Sequence, residues 1–234
     1  MADFSRRAAD VELMDRPDSS VQLLGNTLRQ FRWINRVLTP CHRLLRDHVL
    51  QRMRADRGRA WTMLDIGAGG CDLSIWLIER CRRERISLSI TCLDHDARVV
   101  EFARPRLAAY PEIALLHGDA LSLAETAPGS WDFIFSNHFL HHLTTPEVGD
   151  CLRQVVRACR EQLIMSDLVR SRLSYCVYTA VAKLALRNSF AFDDGRLSIR
   201  RSLTKQEALR LVADDPVLRS LRVRTIFPGH LVFL

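Results

Sequence analysis

A glycine-rich segment follows the first strongly apolar run of the chain and has the spacing of a ligand-binding turn. Residues 64–72 read LDIGAGGCD, so Asp65 stands two positions before Gly67. Glycine lets the backbone approach a ligand closely, and the start of a following helix offers unpaired N–H groups to an anionic group. A purely structural tight turn is the alternative. Cys71 or Asp72 stands where a dinucleotide fingerprint has its third glycine, and the Gly-Lys-Ser/Thr of a P-loop is absent from the segment.

Acidic residues end the next two apolar runs. Asp94 ends the second run, and Asp119 follows the third in the sequence Gly118-Asp119-Ala120. An acid after the second strand of such a fold can accept hydrogen bonds from both ribose hydroxyls of an adenosine. Asp94 could instead cap the next helix, a role for which Asp96 is better placed. Together with Asp65, three acids at three successive strand ends are a stronger signal than any one of them.

Alternating short apolar runs and helical runs must position these residues. Strands are predicted over residues 61–66, 88–93, 113–117, 131–135 and 163–166, and helices over 72–82, 96–109 and 147–158, with a short one at 121–126. This alternation predicts βαβ units and a parallel sheet with right-handed crossovers. Two final runs, 221–227 and 230–234, flank Pro228-Gly229 and predict an antiparallel hairpin at the sheet edge.

Helical segments flank this core on both sides. Apolar residues recur at helical spacing between Leu24 and Leu38, and residues 171–192 predict a further helix, followed by a polar turn at 193–195. We predict a helical cap over residues 1–55 and a core over 56–234, with a helical lid insert at 171–200. The cap and the insert could close over the carboxyl edge of the sheet and line an acceptor pocket. Ordinary helix packing is the alternative.

With these motifs in place, the chain resembles the class I S-adenosylmethionine-dependent methyltransferases. The resemblance rests on the glycine segment, Asp94, Asp119 with its neighbours, and residues 131–143, which read WDFIFSNHFLHHL. It covers roughly residues 60–170, and the terminal hairpin agrees with it. It implies a Rossmann-like, doubly wound seven-stranded sheet, mostly parallel with an antiparallel C-terminal hairpin strand. It also implies S-adenosylmethionine as cofactor and S-adenosylhomocysteine as product.

The resemblance also implies which residues meet the cofactor. In the family, the glycine loop holds the methionine part, the second-strand acid holds the ribose, the third-strand acid holds the adenine amine, and the chain after the fourth strand lines the cofactor. The resemblance implies these roles for Asp65, Gly67, Gly69, Asp94, Asp119 and Asn137. Further candidate cofactor contacts are their neighbours His95 and Ala120, and Arg29 of the first helix, which could reach the cofactor carboxylate. Cys71, where the family often has a third glycine, is interpreted as a packing residue.

Three histidines, His138, His141 and His142, follow the fourth predicted strand, at the edge where open α/β sheets bind ligands. Methyl transfer from a sulfonium mainly requires a positioned nucleophile, and a phenol of pKa about 10 benefits from a general base such as histidine. His141 and then His142 are the candidate bases; either could instead pack beneath the cofactor or cap the next turn. A metal site built from the three histidines is disfavoured, and no metal is predicted. Asp167, at the end of the fifth strand, either assists or caps the next helix.

Composition sets the remaining expectations. The 234 residues are 47% hydrophobic and 26% charged, which is typical of a globular protein. We predict methyl transfer to a small apolar natural product or secondary metabolite, most simply O-methylation of a phenolic or enolic hydroxyl. The net charge of +7 keeps an RNA or protein methyltransferase as the alternative, although the NPPY-type sequence used for planar nitrogen acceptors is absent. A non-catalytic cofactor-binding subunit is a third possibility, and the missing third glycine disfavours a nicotinamide-dependent oxidoreductase.

The cysteines and the apolar runs bear on the compartment. Seven cysteines without a C-x-x-C pair favour a reducing cytoplasm. No apolar run reaches the length of a membrane span, so no transmembrane segment is predicted. No nucleic-acid partner is expected, and the oligomeric state is left open.

Overall fold

A single mixed sheet organises the protein in the computed structural model, which describes residues 2–125 and 128–234. The seven strands are β1 (Trp61–Ile66), β2 (Leu88–Asp94), β3 (Ile113–His117), β4 (Trp131–Asn137), β5 (Cys159–Leu168), β6 (Val223–Ile226) and β7 (His230–Phe233). Their order is β3-β2-β1-β4-β5-β7-β6. Strands β1 to β5 are parallel, and β7 runs antiparallel to β5 and β6. The predicted doubly wound sheet with its antiparallel C-terminal hairpin is therefore confirmed.

Apolar residues on both faces of the sheet explain why its central strands form. In β1, Trp61 and Met63 join the core on one face, whereas Leu64 and Ile66 join the core on the other face. This alternation is the period of two expected of a strand, and both faces are buried because helices cover each of them.

The helices cover the sheet and its carboxyl edge. They are α1 (Val21–Val37), α2 (Cys41–Leu44), α3 (Gln51–Arg54), α4 (Asp72–Glu84), α5 (Ala97–Ala103), α6 (Thr145–Ala158), α7 (Arg172–Ala185), α8 (Ala191–Arg201) and α9 (Lys205–Asp214), with a π-helical segment, Leu45–Leu50, between α2 and α3. The predicted capping box of α9 is present: Thr204 accepts from the Glu207 N–H, and Glu207 accepts from the Thr204 N–H. The predicted short helix at 121–126 is a 3₁₀ turn, Ala120–Glu125, and Thr126 lies outside the described residues.

Helix α1 packs on the insert and on α5. Leu24 and Leu28 contact Val99 of α5, and Ile34 packs with Ala182 and Ala191 of the insert. These contacts place the N-terminal helix and the insert together over the carboxyl ends of the strands. Over the described residues, no helix is long and apolar enough to cross a membrane.

The insert differs from its sequence prediction. Instead of one helix over 171–192 followed by a polar turn at 193–195, the chain forms two helices, and the turn lies between them near Asn188, which has a φ of +52°. Asp193 and Asp194 occupy the first turn of α8, where the helix dipole interacts favourably with carboxylates. The prediction was wrong because acidic residues that begin a helix resemble those of a loop.

Candidate active site

One cavity lies at the carboxyl ends of β1, β2, β4 and β5, beneath α1, α7 and α8. On the sheet side it is lined by the glycine turn and strand-end residues, and on the other side by apolar residues of the covering helices. From α7, Tyr178, Val181 and the partly exposed Val177 line it, whereas Leu173 and Leu184 of the same helix do not line it and are largely exposed. The cavity thus has a polar floor and an apolar roof.

The glycine turn has the backbone conformation that its sequence predicts. Gly67 and Gly69 have φ angles of +64° and +54°, in the left-handed region that favours glycine. A Cβ on Gly67 would lie 3.1 Å from the Cβ of Phe139, so a side chain there would crowd the turn. Cys71 has a φ of +57° and is buried in the core rather than in the cavity wall, in agreement with its interpretation as a packing residue.

Asp65 lies under the turn and lines the cavity. It is buried, and its Oδ2 accepts a hydrogen bond of 2.5 Å from the Ser74 hydroxyl at the start of α4. Burial raises the pKa of Asp65 to about 7, against the opposing effect of the Ser74 hydrogen bond. A cationic ligand group in the cavity would favour its ionised form.

Asp94 ties the second strand to the glycine turn. Its Oδ2 accepts from the Gly69 N–H at 2.9 Å, and its Oδ1 accepts from the Asp96 N–H at 3.1 Å. Burial raises the pKa of this carboxyl, partly offset by the two backbone donors. Asp96, not Asp94, caps α5, accepting from the Arg98 N–H at 2.8 Å. Asp94 thus remains in the cavity wall with His95.

The remaining predicted cofactor residues divide into two groups. Asn137 lines the cavity, and its Nδ2 donates to Asn35 Oδ1 of α1 at 3.1 Å. Asp119 and Ala120 do not line the cavity. Arg29 is exposed on the outer side of α1, where it donates to Asn26 Oδ1 at 2.6 Å, so the structure does not bring it to the other candidates.

His141 and Asp167 form a buried pair in the cavity wall. His141 Nδ1 lies 2.7 Å from Asp167 Oδ1, and the His141 backbone N–H donates to Asp167 Oδ2 at 2.6 Å. Although burial opposes ionisation, the interactions with His141 keep the pKa of Asp167 below its usual value. The cap of α7 is Ser171, so Asp167 is not a helix cap. Asp167 therefore fixes the imidazole in one orientation, with Nδ1 toward the carboxylate.

Glu12 approaches the opposite nitrogen of the same ring. Its Oε1 lies 3.5 Å from His141 Nε2 and accepts from the Ser198 hydroxyl at 2.9 Å. Glu12, His141 and His142 place one potential ligand atom each within 4.8 Å of one another, an arrangement that could hold a metal ion. The set differs from the three histidines considered from the sequence, because Glu12 takes the place of His138.

His142 is paired with a carboxylate of the N-terminal segment, residues 2–20, which precedes α1. Its Nδ1 lies 2.9 Å from Asp15 Oδ2. Although burial lowers it, the hydrogen bond that Nδ1 donates to Asp15 and the charge of Glu12 raise the pKa of His142 to about 9. The imidazole is therefore protonated near neutral pH, and Arg201 holds the same turn by donating to the His142 carbonyl at 3.0 Å.

The N-terminal segment contributes site residues that the sequence did not reveal. Asp194 Oδ1 and Oδ2 accept from the backbone N–H groups of Leu13 and Met14 at 2.7 and 2.9 Å, which brings Glu12 and Asp15 over the cavity. Burial raises the pKa of Asp194 to about 6, and these two donors oppose that shift. The only available signal was the acidic character of the segment, which carries no periodicity.

Comparisons with known proteins identify the domain in which these residues lie. The family model of a methyltransferase domain matches residues 63–162, which include the glycine turn, the three strand-end acids and the histidine run. A comparison with curated protein sequences found no match.

Three solved structures have similar folds. The plantazolicin methyltransferase BamL, solved with a triazolic desmethylPZN analog and SAH, is 16% identical with a TM-score of 0.61, over 88% of this chain and 77% of that one. A putative S-adenosyl-L-methionine-dependent methyltransferase from Methanococcus maripaludis is 14% identical with a TM-score of 0.58, over 94% of this chain and 95% of that one. The mitomycin 7-O-methyltransferase MmcR is 23% identical with a TM-score of 0.50, over 76% of this chain and 49% of that one. With the matched domain and the shared fold together, the chain carries a methyltransferase domain with the fold of the class I S-adenosylmethionine-dependent methyltransferases.

Proposed function

We propose that the protein methylates a phenolic or enolic hydroxyl of a small apolar acceptor, with His141 as the general base. The buried pair of His141 and Asp167 in the cavity wall is the observation that carries this proposal. Asp167 accepts from the Nδ1–H of the ring, so Nε2, which lies 3.5 Å from Glu12 Oε1, is the nitrogen assigned to take up the acceptor proton. In an in-line transfer, the acceptor oxygen attacks the methyl carbon, the C–S bond breaks, and the hydroxyl proton passes to Nε2.

His142 has a different role. Because its pKa is raised to about 9, it already carries a proton near neutral pH and cannot accept one from the acceptor. Its charge binds Asp15 and so holds the N-terminal segment over the cavity. This difference favours His141 over His142 as the base.

The cofactor lies on the polar floor of the cavity in this proposal. Gly67 and Gly69 let the methionine part approach the turn, Asp94 accepts from the ribose hydroxyls, and Asn137 lines the opposite side. Asp65, near its own midpoint of ionisation, faces the positive charge that the cofactor brings. Asp119, the residue expected to bind the adenine amine, does not line the cavity, so it would meet only an adenine that extends beyond the cavity wall.

The apolar roof supports an apolar acceptor. Phe31 and Ile34 of α1 and Val177, Tyr178 and Val181 of α7 line the space above the polar floor. Closure by the N-terminal cap and the insert would exclude water from the sulfonium. The names of two structural neighbours, a mitomycin 7-O-methyltransferase and a plantazolicin methyltransferase, fit small acceptors, although the similarity itself is one of fold.

The test combines cofactor binding with a base variant. Wild type and His141→Gln are compared in calorimetric titrations with S-adenosylhomocysteine and in methylation of a panel of phenols and anilines, with product masses recorded. We expect His141→Gln to lower kcat on the phenols by on the order of 100-fold or more, with unchanged cofactor affinity. His48→Gln, in the π-helical segment and outside the cavity wall, is the matched control and should match wild type.

Two results would contradict this proposal separately. Full activity of His141→Gln on phenols would remove its role as base. Methylation of the anilines alone would replace the hydroxyl acceptor by a nitrogen acceptor.

A further inference from the structure

His138 and His230 form a histidine pair in the wall of the same cavity that the proposed chemistry does not use. His138 directly follows β4 and His230 begins β7, so the rings meet across the end of β5. Their Nε2 atoms lie 3.2 Å apart, and the stacked rings have centroids 5.3 Å apart.

Both rings of the pair are uncharged near neutral pH. Burial lowers the pKa of His138 to about 3 and that of His230 to about 4. A neutral imidazole has one N–H and one bare nitrogen. Two Nε2 atoms at 3.2 Å can share a hydrogen bond only if one of them carries a proton and the other does not. The two histidines are therefore in opposite tautomers.

The surroundings of His230 decide which ring is the donor. Its Nδ1 is buried and has no hydrogen-bond partner among the described residues. A buried N–H without a partner is costly and rare, and a bare acceptor nitrogen is tolerated better in that position. His230 therefore carries its proton on Nε2 and donates it to His138 Nε2. His138 in turn carries its proton on Nδ1.

The backbone holds His138 in an unusual conformation. Its φ is +58°, in the left-handed region that non-glycine residues rarely adopt, and its N–H donates to the Ser166 carbonyl at 2.9 Å. Such conformations cost free energy and are concentrated at functional sites. Here the conformation sets a ring with a defined N–H donor into the cavity wall.

We propose that His138 donates a hydrogen bond from Nδ1 to an uncharged second oxygen of the acceptor, a carbonyl or ether oxygen beside the hydroxyl that is methylated. His230 is a positioning residue that fixes the donating tautomer of His138. This role rests on the proposed function, because it assumes a small hydroxyl-bearing acceptor in the cavity. It predicts selection for acceptors with two neighbouring oxygens over analogues with one.

The first experiment needs no acceptor. Histidine labelled with ¹⁵N distinguishes protonated from bare ring nitrogens, and spectra of His138→Phe and His230→Phe identify the two rings. At pH 7 we expect a neutral Nδ1–H tautomer for His138 and a neutral Nε2–H tautomer for His230. A charged ring, or the proton of His138 on Nε2, would overturn the inference.

The second experiment measures binding of two probes to the complex with S-adenosylhomocysteine. The probes are 2′-hydroxyacetophenone and 2-ethylphenol, two ortho-substituted phenols that differ in a carbonyl group in place of a CH2 group. We expect wild type to bind the ketone about three- to tenfold more tightly, as one net hydrogen bond allows. His138→Phe should lose this preference while keeping the affinity for S-adenosylhomocysteine. His230→Gln, whose amide can still donate to His138, should keep the preference, and His230→Phe should reduce it.

The outcomes separate this inference from the proposed function. Equal binding of the two probes by wild type, or a preference that persists in His138→Phe, contradicts the role of His138 alone. Loss of affinity for S-adenosylhomocysteine in His138→Phe would place its contact on the cofactor and overturn the inference. If neither probe binds, the proposed acceptor class is wrong, and the role of His138 fails with it.

Discussion

The two sides of the cavity are assembled from the chain in different ways. On the polar floor, the candidate cofactor groups come from the last residues of β1, β2 and β4 and from the turns that follow β1 and β2, and backbone hydrogen bonds such as that from Gly69 to Asp94 hold them. On the acceptor side, His141 is set between Asp167 and Glu12, which are 26 residues after it and 129 residues before it in the chain. The floor groups lie at the strand ends of one sheet, whereas the acceptor side also needs the N-terminal segment, which reaches it only after folding.

This difference implies different sensitivities to mutation. A parallel sheet fixes the ends of neighbouring strands together, so the floor should retain its shape when a residue of the cover is changed. The acceptor side depends on the docking of the N-terminal segment through Asp194, Arg98 and Arg201. A substitution that weakens this docking should therefore loosen the acceptor side without affecting cofactor binding. The predictions below test this separation.

The largest effect on kcat is expected from Asp167→Asn, a substitution that changes only the acceptor side of the cavity. The amide replaces one oxygen that now accepts from His141, so either the Nδ1–H or the backbone N–H of His141 loses its partner. If the ring shifts its proton to Nε2, the lone pair needed for the base disappears. We expect kcat to fall on the order of 100-fold or more, with the affinity for S-adenosylmethionine within about twofold of wild type. Calorimetry and initial rates measure both, and an equal loss of cofactor affinity would refute the separation.

Asp94→Asn should have the opposite pattern. Hydrogen bonds to a charged group contribute about 1.5–3 kcal/mol, so we expect S-adenosylmethionine and S-adenosylhomocysteine to bind roughly 10- to 100-fold more weakly. The value of kcat at saturating cofactor should be largely retained. Asp119→Asn is the matched control, because Asp119 follows the neighbouring strand β3 but does not line the cavity. Losses of equal size in the two variants would show that the cofactor reaches Asp119 as well.

A pH-dependent effect of about tenfold is expected from Asp65. Its pKa in the folded protein is raised to about 7, so it is largely protonated at pH 6 and ionised at pH 8. The positive cofactor favours the ionised form, so binding at pH 6 must release a proton, and the affinity should rise about tenfold between pH 6 and 8. Calorimetry in buffers of different ionisation enthalpy measures the proton release. Asp65→Asn should remove both the release and the slope, and an unchanged slope in this variant would assign it to another group.

The raised pKa of Asp65 also predicts the direction in which the free energy of unfolding changes with pH. Because its folded pKa exceeds the ordinary value of 3.8, the native state without cofactor holds this proton more tightly than the unfolded chain does. Its contribution to the free energy of unfolding therefore falls as the pH rises from about 4 to about 7 and stays low above that range. Denaturant unfolding across this range should show a steeper fall of stability with pH in wild type than in Asp65→Asn, in which Asp194 and Asp94 still contribute a slope of the same sign.

The sequence was informative where function depends on local pattern. Strand periodicity and the acids at strand ends predicted the sheet and its hairpin, and the structure confirms both because each strand is encoded within a few residues. Glu12 and Asp15 could not be found in this way, since their positions depend on contacts with Asp194 and His142, far away in the chain. For the same reason Arg29 appeared suitable from its helical spacing, although that spacing does not specify which face of α1 meets the cavity.

The smallest effect is expected from Arg98→Gln, which loosens the cover without touching the acceptor side directly. Arg98 donates to the carbonyls of Met14 and Arg16 and to the Ser19 hydroxyl, at 2.9, 3.1 and 2.7 Å, and so anchors the segment that carries Glu12. We expect the KM for the acceptor to rise about fivefold and cofactor affinity to change little, since a few partly solvated hydrogen bonds contribute about 1 kcal/mol. Hydrogen exchange at the amides of residues 13 and 14, which Asp194 binds, should become faster. Arg104→Gln, an exposed arginine just beyond α5, is the matched control and should leave both measurements unchanged. If exchange accelerates while the KM stays at the wild-type value, the N-terminal segment covers the cavity without shaping acceptor binding, and the acceptor side reduces to His141 and Asp167.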